Sequence, residues 1–211
     1  MALTDDSTID ASSGSVLAGV TLTAPKGAAV VTPTTTLMEE GGLTADQVAE
    51  VLNLPDGVDP LTFNPFADGV DAAKALEVEK ISHQIITAVN SFASAAEGAG
   101  ASERGAFEAA LNSVIEVVKV KAENLSDESA ASADKVIDFT DATDLNLIRD
   151  KVADEAEKIV TGEGTTGFDK DTLTSLVSDT AISIKNLNDQ IGSVTDLTSN
   201  ATKGVFSTLQ V

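Results

Sequence analysis

The sequence predicts a mainly α-helical protein: a short N-terminal β-hairpin followed by a bundle of about six helices. Three observations lead there. Alternation of apolar residues with threonine is confined to the first thirty or so positions, in "VLAGVTLTAPKGAAVVT". Beyond Pro33, apolar residues recur three or four apart, the spacing that places side chains on one stripe of a helix. The aromatic residues are seven Phe with no Trp or Tyr, so a core must be assembled from Ala, Val, Ile and Leu, a composition that favours packed helices.

Three regions follow from this pattern. Residues 1–15 are small, polar and acidic and read as a linker. Residues 16–32 form the hairpin and junction: Val20, Leu22 and Ala24 alternate with threonine, Pro25-Lys26-Gly27 supplies a turn, and Ala28 to Thr32 is again β-prone. Residues 33–211 form the helical bundle. In "VTPTTTL", at 31–37, Thr32 is placed to cap a helix and Pro33 suits its first position, where the missing N–H has no partner to lose. Leu37 enters the core, and Gly41-Gly42 ends this helix. Thr44 and Gln47 then make a capping-box pattern for "TADQVAEVLN".

The segment "LPDGVDPLTFNPFADG" carries three of the five prolines and reads as an ordered turn region pinned by Leu61, Phe63 and Phe66. A long helix over 70–96 carries Val78, Ile81, Ile85, Val89, Phe92 and Ala96 on one stripe. Ser102 caps another, to about Lys121, with Phe107, Leu111, Val114 and Val118 inward. "NLSDESAASADKVIDF" holds a weaker helix, and Asp141 to Val160 a stronger one through Leu145, Ile148, Val152, Ala156 and Ile159. Leu173, Val177, Thr180, Ile184, Leu187, Ile191 and Val194 then step by four and three, a heptad-like seam that packs in the bundle or pairs with another chain. A break is expected near Gly192; the same step continued reaches Ala201, Val205 and Thr208.

Composition removes several function classes. A net charge of −21 repels nucleic acid and anionic membranes, so neither is an expected partner. No apolar run is long enough to span a bilayer, and "MALTDDSTIDASSG" lacks the basic start and apolar stretch of a signal peptide. The chain therefore stays inside the cell, leaves it by another route, or is part of a longer protein. With no Cys there is no thiolate chemistry, and with His83 as the single histidine no multi-histidine metal site or His-based triad can be assembled. The helical wheel puts His83 off the Ile81/Ile85/Val89 stripe, at the surface or its boundary.

Acidic residues fall mostly on helix faces and caps, with Asp154 and Lys158 spaced for an i,i+4 pair. Asp56, Asp59, Asp68, Asp71, Asp169 and Asp171 are candidate calcium ligands in loops, although none of these loops has the twelve-residue pattern of an EF-hand, and aspartate at a turn ordinarily bonds backbone N–H groups. "GEGTTG" lacks the lysine of a phosphate-binding loop, and the threonines of "VTPTTTL" have no base beside them to make a nucleophile. Asn124-Leu125-Ser126 and Asn200-Ala201-Thr202 are short sequons that matter only where the host glycosylates secreted proteins. No catalytic or cofactor-binding residue is assigned.

The run "GVTLTAPKGAAVVTPTTTLMEEGGLTADQVAEVLNLPDGVDPLTFNPF", residues 19–66, resembles a segment of very large bacterial secreted and surface proteins of the adhesin or RTX-like kind. The resemblance rests on Ala24-Pro25 with Gly27, on Val31-Thr32-Pro33 with Thr35-Thr36-Leu37, and on Leu52 to Pro55 followed by Val58-Asp59 and Phe63-Asn64-Pro65. Thr34 stands where that pattern has leucine and Asn64 where it has aspartate. The resemblance implies a non-enzymatic, extracellular helical module, a structural or spacer piece whose partners are the neighbouring domains of a longer chain. The alternative is a self-assembling, flagellin-like filament subunit that uses the Leu173–Val194 seam.

Overall fold

The computed structural model describes residues 2–3, 8–9, 11, 20–197, 199, 202 and 205–206. Among the described residues two short strands, β1 (Ala2–Leu3) and β2 (Thr23–Ala24), precede seven helices: α1 (Pro33–Gly41), α2 (Ala45–Val51), α3 (Ala72–Gly98), α4 (Glu103–Asn124), α5 (Ser132–Lys135), α6 (Ala142–Glu163) and α7 (Lys170–Gly192). The four long helices form a closed ring in the order α3, α4, α6, α7, each packed on the next and α7 back on α3. At one end the α3–α4 and α6–α7 connections touch, with the Asp169 N–H donating to the Ala99 carbonyl at 2.9 Å. Successive long helices therefore run in alternating directions, as short connections require. Helices α1 and α2 lie on the outside of α4, and Leu37, Val48 and Val51 join them to the common core.

Local chemistry explains most of the helix boundaries. Thr32, Thr44, Asp71, Ser102, Asp141 and Asp169 each accept backbone N–H bonds as N-caps, which pairs donors that a helix start leaves free. Helix α1 stops at Gly42, which adopts the left-handed conformation at φ 64°. Gly100 is required for a different reason. Its φ is 98°, and a Cβ there would lie 2.6 Å from the Gly167 carbonyl oxygen, so the two end loops meet backbone to backbone. Helix α7 ends at Gly192, where the sequence places a break.

Several expectations are corrected. Among the described residues of 16–32, which begin at Val20, there is no hairpin: Thr23 and Ala24 pair antiparallel with Leu3 and Ala2, while Ala29 donates its N–H to the Leu61 carbonyl of the following loop at 2.8 Å. The second half of the expected hairpin is held by that turn region instead. Of the expected linker over 1–15, Ala2 and Leu3 are in that sheet, and the rest apart from residues 8–9 and 11 lie outside the described residues. The weak helix of "NLSDESAASADKVIDF" shrinks to the single turn of α5, because the next residues run extended from Val136 and bury Ile137 and Phe139 in the core. Phe66 does not pin the turn region. It is 43% exposed, since Asn64 accepts the Phe66 N–H at 2.9 Å and turns the chain outward.

His83 is buried, not superficial, at 5% exposure. Residues 82–89 of α3 are buried on every side, because α4 and α7 cover two faces and Phe206 stacks on the imidazole with ring centres 3.8 Å apart. A single apolar stripe leaves a helix with a solvent face, and the middle of α3 has none. On α7 the seam shifts at two turns. Ala181 and Asn188 are buried, whereas Thr180 and Leu187 are only half-buried, because α7 fits between α3 and α6 and not against a single partner. Of the positions that continue the seam, Val205 is half-buried, and Ala201 and Thr208 lie outside the described residues.

Candidate functional site

The most developed polar constellation is the junction that the sequence drew attention to, where Thr32 to Thr36 meet β2. Thr32 and Thr35 close a reciprocal capping box: the Thr35 N–H donates to Thr32 Oγ1 at 3.1 Å and the Thr32 N–H to Thr35 Oγ1 at 2.9 Å. The same two consecutive side chains, Thr35 and Thr36, hold residue 23. The Thr23 N–H donates to Thr36 Oγ1 at 3.0 Å, and the Thr23 carbonyl lies 3.0 Å from Thr35 Oγ1 and 3.1 Å from Thr36 Oγ1. Thr23 in turn donates its own hydroxyl to Glu40 at 2.9 Å, one turn further along α1.

All of this is dry. Thr23, Thr34, Thr35 and Thr36 are each less than 7% exposed. A buried hydroxyl is stable only when bonded, and threonine offers a methyl to the core together with the hydroxyl to the backbone. Thr34 illustrates the point: it is buried, and its hydroxyl is 2.7 Å from that of Thr32. Sequence reasoning found the Thr32 cap but not the grip on Thr23. The signal available was the threonine of "LTA" ahead of a threonine-rich helix start, and alternation alone could not find it because Leu22, Thr23 and Ala24 are all buried.

Two further polar clusters lie inside the bundle. Lys121 of α4 is buried and reaches Asp144 of α6 at 2.5 Å and the Ala133 carbonyl at 2.6 Å, while Asp144 also accepts the Asp138 N–H at 2.8 Å. This network ties α4, α5 and α6 together. Asn188 of α7 is fully buried and donates to the carbonyls of Phe139 at 2.8 Å and Gln84 at 3.4 Å. Its Oδ1 has no hydrogen-bond partner, the one such buried side-chain atom among the described residues. On α3, His83 Nε2 lies 3.6 Å from Glu79.

The six candidate calcium ligands are dispersed along the chain and several are already engaged. Asp59 accepts the Leu61 N–H at 2.9 Å and the Thr62 hydroxyl at 3.1 Å. Asp71 caps α3 and Asp169 caps α7, with Asp171 exposed in the first turn of α7. Asp68 is exposed, and Asp56 lines an open groove of about 590 Å³ with Asp46, Glu50 and Lys135. Among the described residues, no three acidic or histidine side chains come together as a metal site. Thr172, through its backbone N–H and then its hydroxyl, holds the Asp169 carboxyl below the usual carboxylate range, and Thr143, through its hydroxyl and then its N–H, lowers Asp141.

Ion pairs bind the bundle's outer surface. Lys170 bridges to Asp154 and Glu157 of α6, both at 2.7 Å, and those bonds raise its own pKa and lower that of Asp154. The expected Asp154–Lys158 pair is therefore not made. Asp154 turns to α7, and Lys158 pairs with Glu155 three residues earlier.

A scan of protein-family models, a search of curated proteins and a search of solved structures return no match to this chain. What the chain can do is accordingly read from its own geometry. Among the described residues no helix is long and apolar enough to cross a membrane. The threonine junction joins an extended segment to a helix through bonds that satisfy each donor and acceptor involved, an arrangement suited to holding two pieces of chain in a fixed relation.

Proposed function

We propose that this chain is a non-enzymatic structural or spacer module of a large bacterial extracellular surface or adhesin-like protein, working beside neighbouring domains of a longer chain. The observation that carries the reading is the junction: Thr23 is fixed to α1 by the hydroxyls of Thr35 and Thr36, which ties an extended lead to the helical bundle. Two other features support it. The acidic surface, with a net charge of −21, keeps such a module soluble and apart from anionic partners, and the resemblance over 19–66 covers this same junction. The seam residues Leu173, Val177, Ile184 and Ile191 are buried inside the chain's own fold, which favours the spacer reading over the filament alternative.

The test is localisation. An antibody raised against residues 33–192 should label intact, unpermeabilised source cells, and brief external protease should remove the signal. Labelling that appears only after lysis would overturn the reading.

A further inference from the structure

We propose that the Thr23–Thr35–Thr36 clasp is a mechanical lock: it transmits tension applied to the chain ahead of Val20 directly into the helical bundle, so that the lead and the bundle separate only when the bundle itself unfolds. The use of such a lock rests on the spacer reading; its existence does not.

The geometry supports this in three ways. First, the attachments act together. Thr23 is held through its N–H, its carbonyl and its hydroxyl, by Thr36, by Thr35 with Thr36, and by Glu40, so a pull on residue 23 stretches bonds to several residues of α1 at once. Bonds stretched at the same time resist far better than bonds met one after another. Secondly, the bonds to Thr35 and Thr36 are sealed, although Glu40 is exposed. Thr35 and Thr36 are at most 1% exposed, so water is not at hand to replace a bond as it lengthens, the route by which exposed turn bonds yield. Thirdly, the anchor is firm. Leu22 and Ala24 flank the held residue and are buried, while Leu37, next to Thr36, is fully buried in the main core with Val48, Val51 and Val114.

The experiment is single-molecule extension of the full chain between reference domains, with T35V/T36V as the test variant and T62V as the control. Thr62 is exposed and bonds only within its own turn. Release of β1 from β2 comes first in every variant and frees the chain ahead of Val20. After it, the wild type and T62V are expected to show one unfolding step. In T35V/T36V a further short step should appear before it, of about 60 Å for the release of residues 20–36 at the reach of an extended chain. That further step in the wild type, or its absence from the variant, would overturn the lock.

Should the variant not fold, the wild type decides the matter by native-state hydrogen exchange. The Thr23 amide should exchange as slowly as those of Val114 and Val118 in α4, through global unfolding. Exchange faster by a factor of roughly 100, through local opening, would overturn it as well. These outcomes are separate from localisation: a lock measured in a protein found only inside the cell would stand without the spacer reading, and a surface module with a weak clasp would stand without the lock.

Discussion

The threonine clasp and the Asn188 cluster both bury polar side chains, and they differ in one respect that matters. In the clasp the Thr23 N–H and carbonyl and the hydroxyls of Thr35 and Thr36 all have partners; at Asn188 two bonds are donated and Oδ1 is left without one. A satisfied buried network adds net stability and fixes one arrangement. A half-satisfied one forfeits part of that gain to the desolvated atom, and what it retains is specificity. Asn188 fits the second description, since its two acceptors come from α3 and from the extended segment at Phe139, and only one rotation of α7 brings its side chain to both.

Substitutions can break or sharpen this contrast, and the charged network sets its upper bound. Lys121→Met should cost about 3–5 kcal/mol in a denaturant melt, because it leaves the Asp144 carboxylate buried without its cation. A loss below 1 kcal/mol would mean that Asp144 reaches water. Thr35→Val comes next, at about 1–3 kcal/mol, since the isosteric change removes the acceptor for the Thr32 N–H and a donor to Thr23. Asn188→Leu should cost less than Thr35→Val, at about 1 kcal/mol, since it leaves the Phe139 carbonyl without its donor but removes the orphan oxygen and adds apolar contact. If Asn188→Leu costs as much as Thr35→Val, the contrast between the clusters fails.

Smaller effects belong to the surface. The folded-state pKa of Asp169 is depressed by its bonds from Thr172, so its contribution is present above the pKa of the unfolded chain and is lost as pH falls through the folded value. Melting temperature should therefore fall on acidification below about pH 4, and less steeply in Asp169→Asn. A mutant with an unchanged acid slope would show that the cap contributes nothing. Smallest of all is calcium: with Asp56, Asp59, Asp68, Asp71, Asp169 and Asp171 dispersed, adding the ion should leave the melting temperature where it was. A rise would require preferential binding to the folded state and would reopen those loops as sites.

Whatever depends on near neighbours in the sequence was legible there. Thr32 with Pro33, Thr44 with Gln47, Ser102 and Asp141 mark helix starts through bonds that span three residues or fewer, and Gly42 marks an end through its own backbone preference. Whatever depends on a third element was not. Whether His83 meets water is decided by Phe206, far along the chain, and whether Thr23 pairs with a hairpin partner is decided by hydroxyls on α1. Lys170 likewise draws Asp154 away from Lys158, a competition that periodicity within α6 cannot reveal. The candidate site shows both sides: its cap was readable, its grip on the lead was not.

The contact between Gly100 and Gly167 bears on where this protein can grow. At that end two loops touch through their backbones, and a methyl group on Gly100 would strike the Gly167 carbonyl, so the α3–α4 turn cannot be decorated there without parting it from the α6–α7 turn. At the opposite end the chain between α4 and α6 runs through residues 125–141, with an exposed stretch at 127–129 that carries its own short turn bonds. Inserted tags, epitopes or whole domains should be accepted there and refused at Gly100, which gives the bundle one end open to elaboration and one that must stay as it is.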